Sequence, residues 1–162
     1  AVKGVLSPIL QETVNFVNAR NIATARDIEV KEVKSQGNKP VANAVTLTLK
    51  TEKNTHTIVG TLFNGNEAKI IQIDDYRMDF TPEGYLLLAP HNNRPNMIGQ
   101  ISTILGEAGI NITGMQVGKT TDTDTNIMAV AVQADISNDI MIKLRAIEGI
   151  LEVKLINCEA GH

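Results

Sequence analysis

The sequence predicts an α+β protein: a small antiparallel sheet with short helices, followed by a βαββαβ unit. Three observations lead there. Apolar residues recur at every second position in short runs between Ile28 and Phe80, the pattern of strands with one face to water. Two later stretches, Pro95 to Ala108 and Ser137 to Ile147, carry apolar residues at helical spacing, each flanked by strand-like runs. Turn residues punctuate the chain between the runs.

Val2, Val5, Leu6, Ile9 and Leu10 fall at helical spacing, so Val2 to Leu10 is expected as a short helix that Pro8 ends or kinks. Thr13 to Val17 reads as a brief strand or extended link. Asn18 is placed to cap a second short helix running to about Arg26, with Asp27 at its end. The period then changes to two. Ile28 to Val33, Val45 to Leu49, Thr57 to Phe63, Ile70 to Ile73 and Tyr76 to Phe80 are expected as antiparallel strands. Glu52-Lys53-Asn54-Thr55, Asn64-Gly65-Asn66-Glu67 and Asp74-Asp75 supply turns. Thr81-Pro82-Glu83-Gly84 then breaks the pattern, and the domain boundary is placed there, giving 1–84 and 85–162.

The second unit reads as strand Tyr85 to Ala89, helix Pro95 to Ala108, strands Asn111 to Val117 and Ile127 to Ala134, helix Ser137 to Ile147 and strand Leu151 to Ile156. That order is a βαββαβ unit of ferredoxin-like type. In the first helix Pro95 suits the opening position, Ile98, Ile101, Ile104, Leu105 and Ala108 share a face, and Gly109 suits a left-handed stop. In the second, Ser137 caps, Ile140, Met141, Leu144 and Ile147 form the buried stripe, and Gly149 ends it. Both helices are expected on one face of the sheet, leaving the other face and the edges open to a partner.

Composition narrows the function. The chain is 43% apolar with no Trp, three Phe and two Tyr, so its cores are aliphatic. A net charge of −3 with interspersed signs gives no footprint for nucleic acid or an anionic membrane. The central strands of the second unit hold no aromatic residue on which an RNA base would stack. No segment approaches the roughly 20 apolar residues that span a bilayer. Cys158 is the only cysteine, which excludes an intrachain disulfide and a thiolate metal site and points to the cytoplasm. Ala1-Val2-Lys3-Gly4 reads as the inside of a structural element, so a fragment of a longer chain is expected.

No catalytic group stands out. His56, His91 and His162 are expected in a hairpin turn, a loop and the last position, away from any nucleophile motif. Asp74-Asp75, and Asp122 with Asp124 in the connection Thr120 to Thr125, fit solvated turns. Polar chemistry gathers instead at His91-Asn92-Asn93-Arg94-Pro95-Asn96-Met97-Ile98-Gly99, where a strand meets a helix. Free N–H groups at a helix start can meet a carboxylate, and an Asn amide oxygen can accept from an ammonium. Singly, His91 fits a solvated loop, Asn93 a cap and Asn111 a turn after the helix. Convergence of the three at one sheet edge is the expectation that favours a small amino-acid ligand.

With these residues in view, Tyr85 to about Asn157 resembles an ACT domain, the regulatory module of enzymes of amino-acid metabolism. The resemblance rests on the His91–Pro95 loop, the Ile98-Gly99 and Leu105-Gly106 steps, Ala108-Gly109-Ile110-Asn111-Ile112 and Ala146-Ile147-Glu148-Gly149-Ile150. Over nearly its whole length the chain is similar to the C-terminal regulatory region of long-form D-3-phosphoglycerate dehydrogenases. Gly4-Val5-Leu6-Ser7-Pro8, Val14-Asn15-Phe16-Val17-Asn18-Ala19, Gly60-Thr61-Leu62-Phe63 and Met115-Gln116-Val117-Gly118 carry that likeness. It implies that His91, Asn93 and Asn111 contact L-serine at the interface of a homodimer or tetramer, for feedback on serine synthesis. It also implies that the catalytic and NAD-binding domains lie outside this chain, which by itself would be no enzyme and hold no cofactor.

By the same resemblance residues 1–84 are an intervening domain that in some members binds an anion. Lys69 matches a basic residue of that site and Arg77 is the other candidate, whereas Thr81 and Ala131 stand where some members have arginine. Members also have a strand before the opening helix, whose absence would expose a sheet edge for another copy to cover. Asn96 stands where ACT domains commonly have glycine; it can keep the left-handed backbone, but its Cβ is expected to narrow the pocket. Two other readings fit the sequence: an oligomerisation module without ligand, and the regulatory part of an L-serine dehydratase. Against an apolar ligand, His91, Asn93 and Asn111 would be left unpaired, so a small hydrophilic one is favoured.

Overall fold

A computed structural model describes residues 2–7, 9–10, 13–33, 44–120 and 124–158, in two compact units that divide between residues 42 and 43. In the first, α1 (Val2–Leu6) and α2 (Ala19–Ala25) close a small core of Leu6, Val14, Ala19 and Ala23. Position 8, where Pro8 was expected to end the helix, lies outside the described residues, and α1 stops at Leu6. Asn18 does not cap α2 with its side chain. Its Oδ1 instead accepts from the Asn15 N–H at 2.7 Å and its Nδ2 donates to the Thr13 carbonyl, so Thr13 to Val17 is a link that turns at Phe16 and Val17, and not a strand. Nor is Ile28 to Val33 a strand. The Ile28 N–H donates to the Ala23 carbonyl and Val30 packs on the helical core, so local closure replaces sheet pairing.

The second unit is an eight-stranded sheet with two helices. Its elements are β1 (Ala44–Lys50), β2 (Thr55–Phe63), β3 (Glu67–Ile73), β4 (Tyr76–Phe80), β5 (Tyr85–Asn92), α3 (Met97–Glu107), β6 (Ile112–Lys119), β7 (Thr125–Val132), α4 (Asn138–Arg145) and β8 (Lys154–Asn157). The spatial order is β1-β2-β3-β4-β6-β7-β5-β8, and every pairing is antiparallel. Thr81–Gly84, the expected boundary, is the link from β4 to β5 within this unit. The β2–β3 turn shows why Asn-Gly was informative. Asn64 and Gly65 have φ of 48° and 88°, and the Asn66 N–H returns to the Phe63 carbonyl, a type I′ geometry matched to strand twist.

One face of β5, β6 and β7 is sealed by the helices. Leu87, Met128, Val130, Ile101, Leu105 and Leu144 are essentially inaccessible there. The stripe on α3 is Met97, Ile101 and Leu105, with Ile104 partly buried; Ile98 is half exposed and Ala108, beyond the helix end at Glu107, is exposed. The opposite face was expected to be open, yet Leu86, Ile127 and Ala129 are buried on it. Met78 of β4 shares their cluster, and Tyr76, Phe80 and Ile73 pack against it.

The junction of β4 and β6 rests on one ladder pair, Arg77 with Lys119, next to Gly118. A Cβ on Gly118 would meet Met78 Cγ at 2.8 Å, the Arg77 carbonyl oxygen at 3.0 Å and Ile127 Cγ2 at 3.1 Å. Glycine is what lets β4 lie so close. Gly118→Val is therefore expected to cost about 1–3 kcal/mol in urea unfolding. Gly114→Ala, whose new Cβ would meet only Ala131 at 3.8 Å, should unfold close to the parent.

Candidate functional site

His91 is not in a loop. It is the penultimate residue of β5, opposite Asn126 of β7 and bridged to Ile150, and it is 3% exposed. Strand pairing runs past Ala89 because the turn after α4 also binds β5: the Asn92 N–H donates to the Gly149 carbonyl and the Leu151 N–H to Pro90. The His91 ring donates Nδ1–H to the Ala89 carbonyl at 2.9 Å, so in the neutral ring Nε2 is the nitrogen that can accept.

Asn93 follows β5 and is exposed, with its N–H bound to the Asp124 carbonyl at 3.0 Å. Its Oδ1 accepts from Asn126 Nδ2 at 3.0 Å. Asn126, 9% exposed, is a site neighbour that the sequence reasoning missed. The available signal was an asparagine opening the apolar run Ile127 to Val132, in register with His91. Beside it, Thr125 Oγ1 hydrogen-bonds the Tyr76 hydroxyl of β4 at 2.8 Å, which ties this end of β7 to the preceding strands.

Asn111 lies elsewhere. Its Nδ2 donates to Gln133 Oε1 at 3.2 Å, just beyond the other end of β7. With a strand rise of about 3.3 Å per residue, the His91–Asn126 and Asn111–Gln133 positions stand roughly 20 Å apart. The three expected residues therefore do not converge within one chain, because β5 and β6 present opposite ends of the sheet.

Asn96 takes the left-handed conformation, φ 66° and ψ 11°, as the N-cap of α3 without a side-chain cap bond. Its Oδ1 lies where a Cβ on Gly99 would be, so the Asn96 side chain folds onto the first turn of the helix and fits there because residue 99 is glycine. A shallow groove of about 290 Å³ runs along this face, lined by Asn96, Gly99, Gln100, Thr103 and Ile104.

Arg94 crosses from the α3 entrance to Glu148 after α4, with Nη1 to Oε1 at 2.7 Å. The hydrogen bond from Arg94, then its charge, hold the Glu148 carboxyl below its usual value of 4.5. A lowered folded value means that this contribution is present above about pH 4.5 and is lost as pH falls through the folded value. Glu148→Gln is expected to melt slightly below the parent at neutral pH. The difference should vanish in acid, and the pair is exposed enough that it stays small throughout.

The two candidate anion ligands are placed apart in their partners. Lys69 on β3 contacts Asp79 at 3.2 Å and Glu67 at 3.3 Å, and hydrogen bonds to these carboxylates raise its pKa above 10.5. It already has two counter-ions. Arg77 on β4 is exposed, opposite Gln72 and Lys119. Among the described residues no group of three His, Cys, Asp or Glu side chains is arranged to hold a metal ion, and no helix is long and apolar enough to cross a membrane. The sequence has no two glycines separated by one residue, so a G-x-G-x-x-G turn for a dinucleotide pyrophosphate does not fit this chain.

Fold and polar cluster together define an α+β module with polar side chains gathered at the ends of its strands. Residues 1–74 match the D-3-phosphoglycerate dehydrogenase intervening domain. Over nearly its whole length the chain is similar to one part of D-3-phosphoglycerate dehydrogenases. It is 36% identical over 96% of its length to D-3-phosphoglycerate dehydrogenase of Methanocaldococcus jannaschii. The same enzyme of Synechocystis is 31% identical over 93% of the chain, and that of Bacillus subtilis 30% over 96%. The chain spans only 29%, 27% and 30% of those proteins, respectively.

Proposed function

We propose that this chain is a regulatory part of a D-3-phosphoglycerate dehydrogenase, with residues 85–157 forming an ACT-type unit that binds L-serine between two copies. The parent enzyme would oxidise 3-phosphoglycerate with NAD on domains not contained in this chain. The observation that supports the reading is the strand order β6-β7-β5-β8, with α3 and α4 packed over one face, the order expected of a ferredoxin-like βαββαβ unit. His91 and Asn93 lie at one end of that unit and Asn111 at the other. In a two-fold dimer each contact occurs twice, so one copy's Asn111 can meet His91 and Asn93 of the other. The separation that prevents a site within one chain is what a shared site requires.

Calorimetric titration with L-serine, with L-alanine and L-phenylalanine as controls and the solution mass in parallel, tests this. Saturable heat with serine alone, from a dimer, and a weaker affinity in Asn93→Ala are expected. No heat and no thermal shift at millimolar serine would overturn the reading. Asn96→Gly keeps the positive φ and frees the first turn of α3, so it is expected to tighten binding; equal affinities would show that the Asn96 side chain does not crowd the ligand.

A further inference from the structure

We propose that Asn126 is a positioning residue of the same site, an inference that rests on the serine reading above. Asn126 is 9% exposed, lies opposite His91 in the β5–β7 ladder and donates Nδ2 to Asn93 Oδ1 at 3.0 Å. That bond does two things. It tethers a side chain that is otherwise exposed, on a residue whose N–H is bound to the Asp124 carbonyl. It also occupies one lone pair of the Asn93 oxygen and fixes which way the amide faces, so the Nδ2 hydrogens are directed away from Asn126 and are available to a ligand. Asn93 thereby becomes a donor suited to a carboxylate or hydroxyl oxygen, while the neighbouring His91 Nε2 supplies an acceptor. Asn126 sets this division of roles without touching the ligand. An amide held ready in one orientation also binds without the entropy cost of ordering it.

The test is a double-mutant cycle on L-serine affinity, read by calorimetry on the full chain. Asn126→Ala is expected to weaken serine about 3- to 10-fold, the size of one lost hydrogen bond. In an Asn93→Ala background the same substitution should change affinity little, because Asn126 acts through Asn93. Asn126→Asp keeps the size and removes the donor. It should turn the Asn93 amide round and weaken serine to a similar degree with the chain still folded, which separates positioning from a packing defect. Serine binding at parental affinity in Asn126→Asp, or additive losses in the cycle, would overturn the proposal and leave the serine reading standing. Absence of serine binding by the parent chain would overturn both.

Discussion

Leu87→Ala is expected to cost about 2–5 kcal/mol, the range for emptying a fully enclosed aliphatic position. Leu87 has no accessible surface and sits in the middle of β5, the strand that pairs with β7 on one side and β8 on the other. It belongs to the cluster formed with Ile101 and Leu105 of α3 and Leu144 of α4, so the cavity would open where both helices meet the sheet. Neighbours on strands cannot collapse into it without breaking the ladder, which favours the upper part of the range. At about 2–4 °C per kcal/mol for a chain of this size, the melting temperature should fall by roughly 5–15 °C. Leu49→Ala, at a β1 position that is 41% exposed, is the control and should shift it far less. Equal shifts would mean that the sheet does not carry its core under α3 and α4.

His91→Ala is expected to weaken L-serine about 10- to 100-fold, corresponding to a lost hydrogen bond to a charged group. Two consequences of the buried ring have to be separated. Its Nδ1–H satisfies the Ala89 carbonyl, and its Nε2 is the acceptor left for a ligand. His91→Asn places an amide donor near the Nδ1 position and no acceptor near Nε2, so it should recover stability and leave serine weak. His91→Gln reaches the Nε2 position and should recover part of the affinity. Melting curves and titrations of the three variants distinguish the roles, and unchanged serine binding in His91→Ala would remove His91 from the site.

Much of the element order was legible from local patterns. The Asn64-Gly65 turn, the stop at Gly109 and the two amphipathic helices each depend on residues close in sequence, and their physical causes act at that range; α4, by contrast, ends at Arg145, short of the expected Ile147 and Gly149. The failures came where local and tertiary partners compete. Asn18 had the chemistry of a cap, yet bonded Asn15 and Thr13; Ile28 to Val33 had the alternation of a strand, yet no strand pairs with it among the described residues. Ile98 shares the helical spacing of the buried stripe, but the packing of α3 on the sheet turns Met97 inward in its place.

The candidate site divides in the same way. The sequence by itself determined which polar residues surround the strand-to-helix junction, and that Asn96 can hold a left-handed backbone, because side-chain type and φ preference are local properties. Only the tertiary structure decided that His91 is buried in a strand, that Asn126 engages Asn93, and that Asn111 lies at the far end of the sheet. Those placements follow from the register of β5, β6 and β7, which long-range hydrogen bonding and core packing fix together.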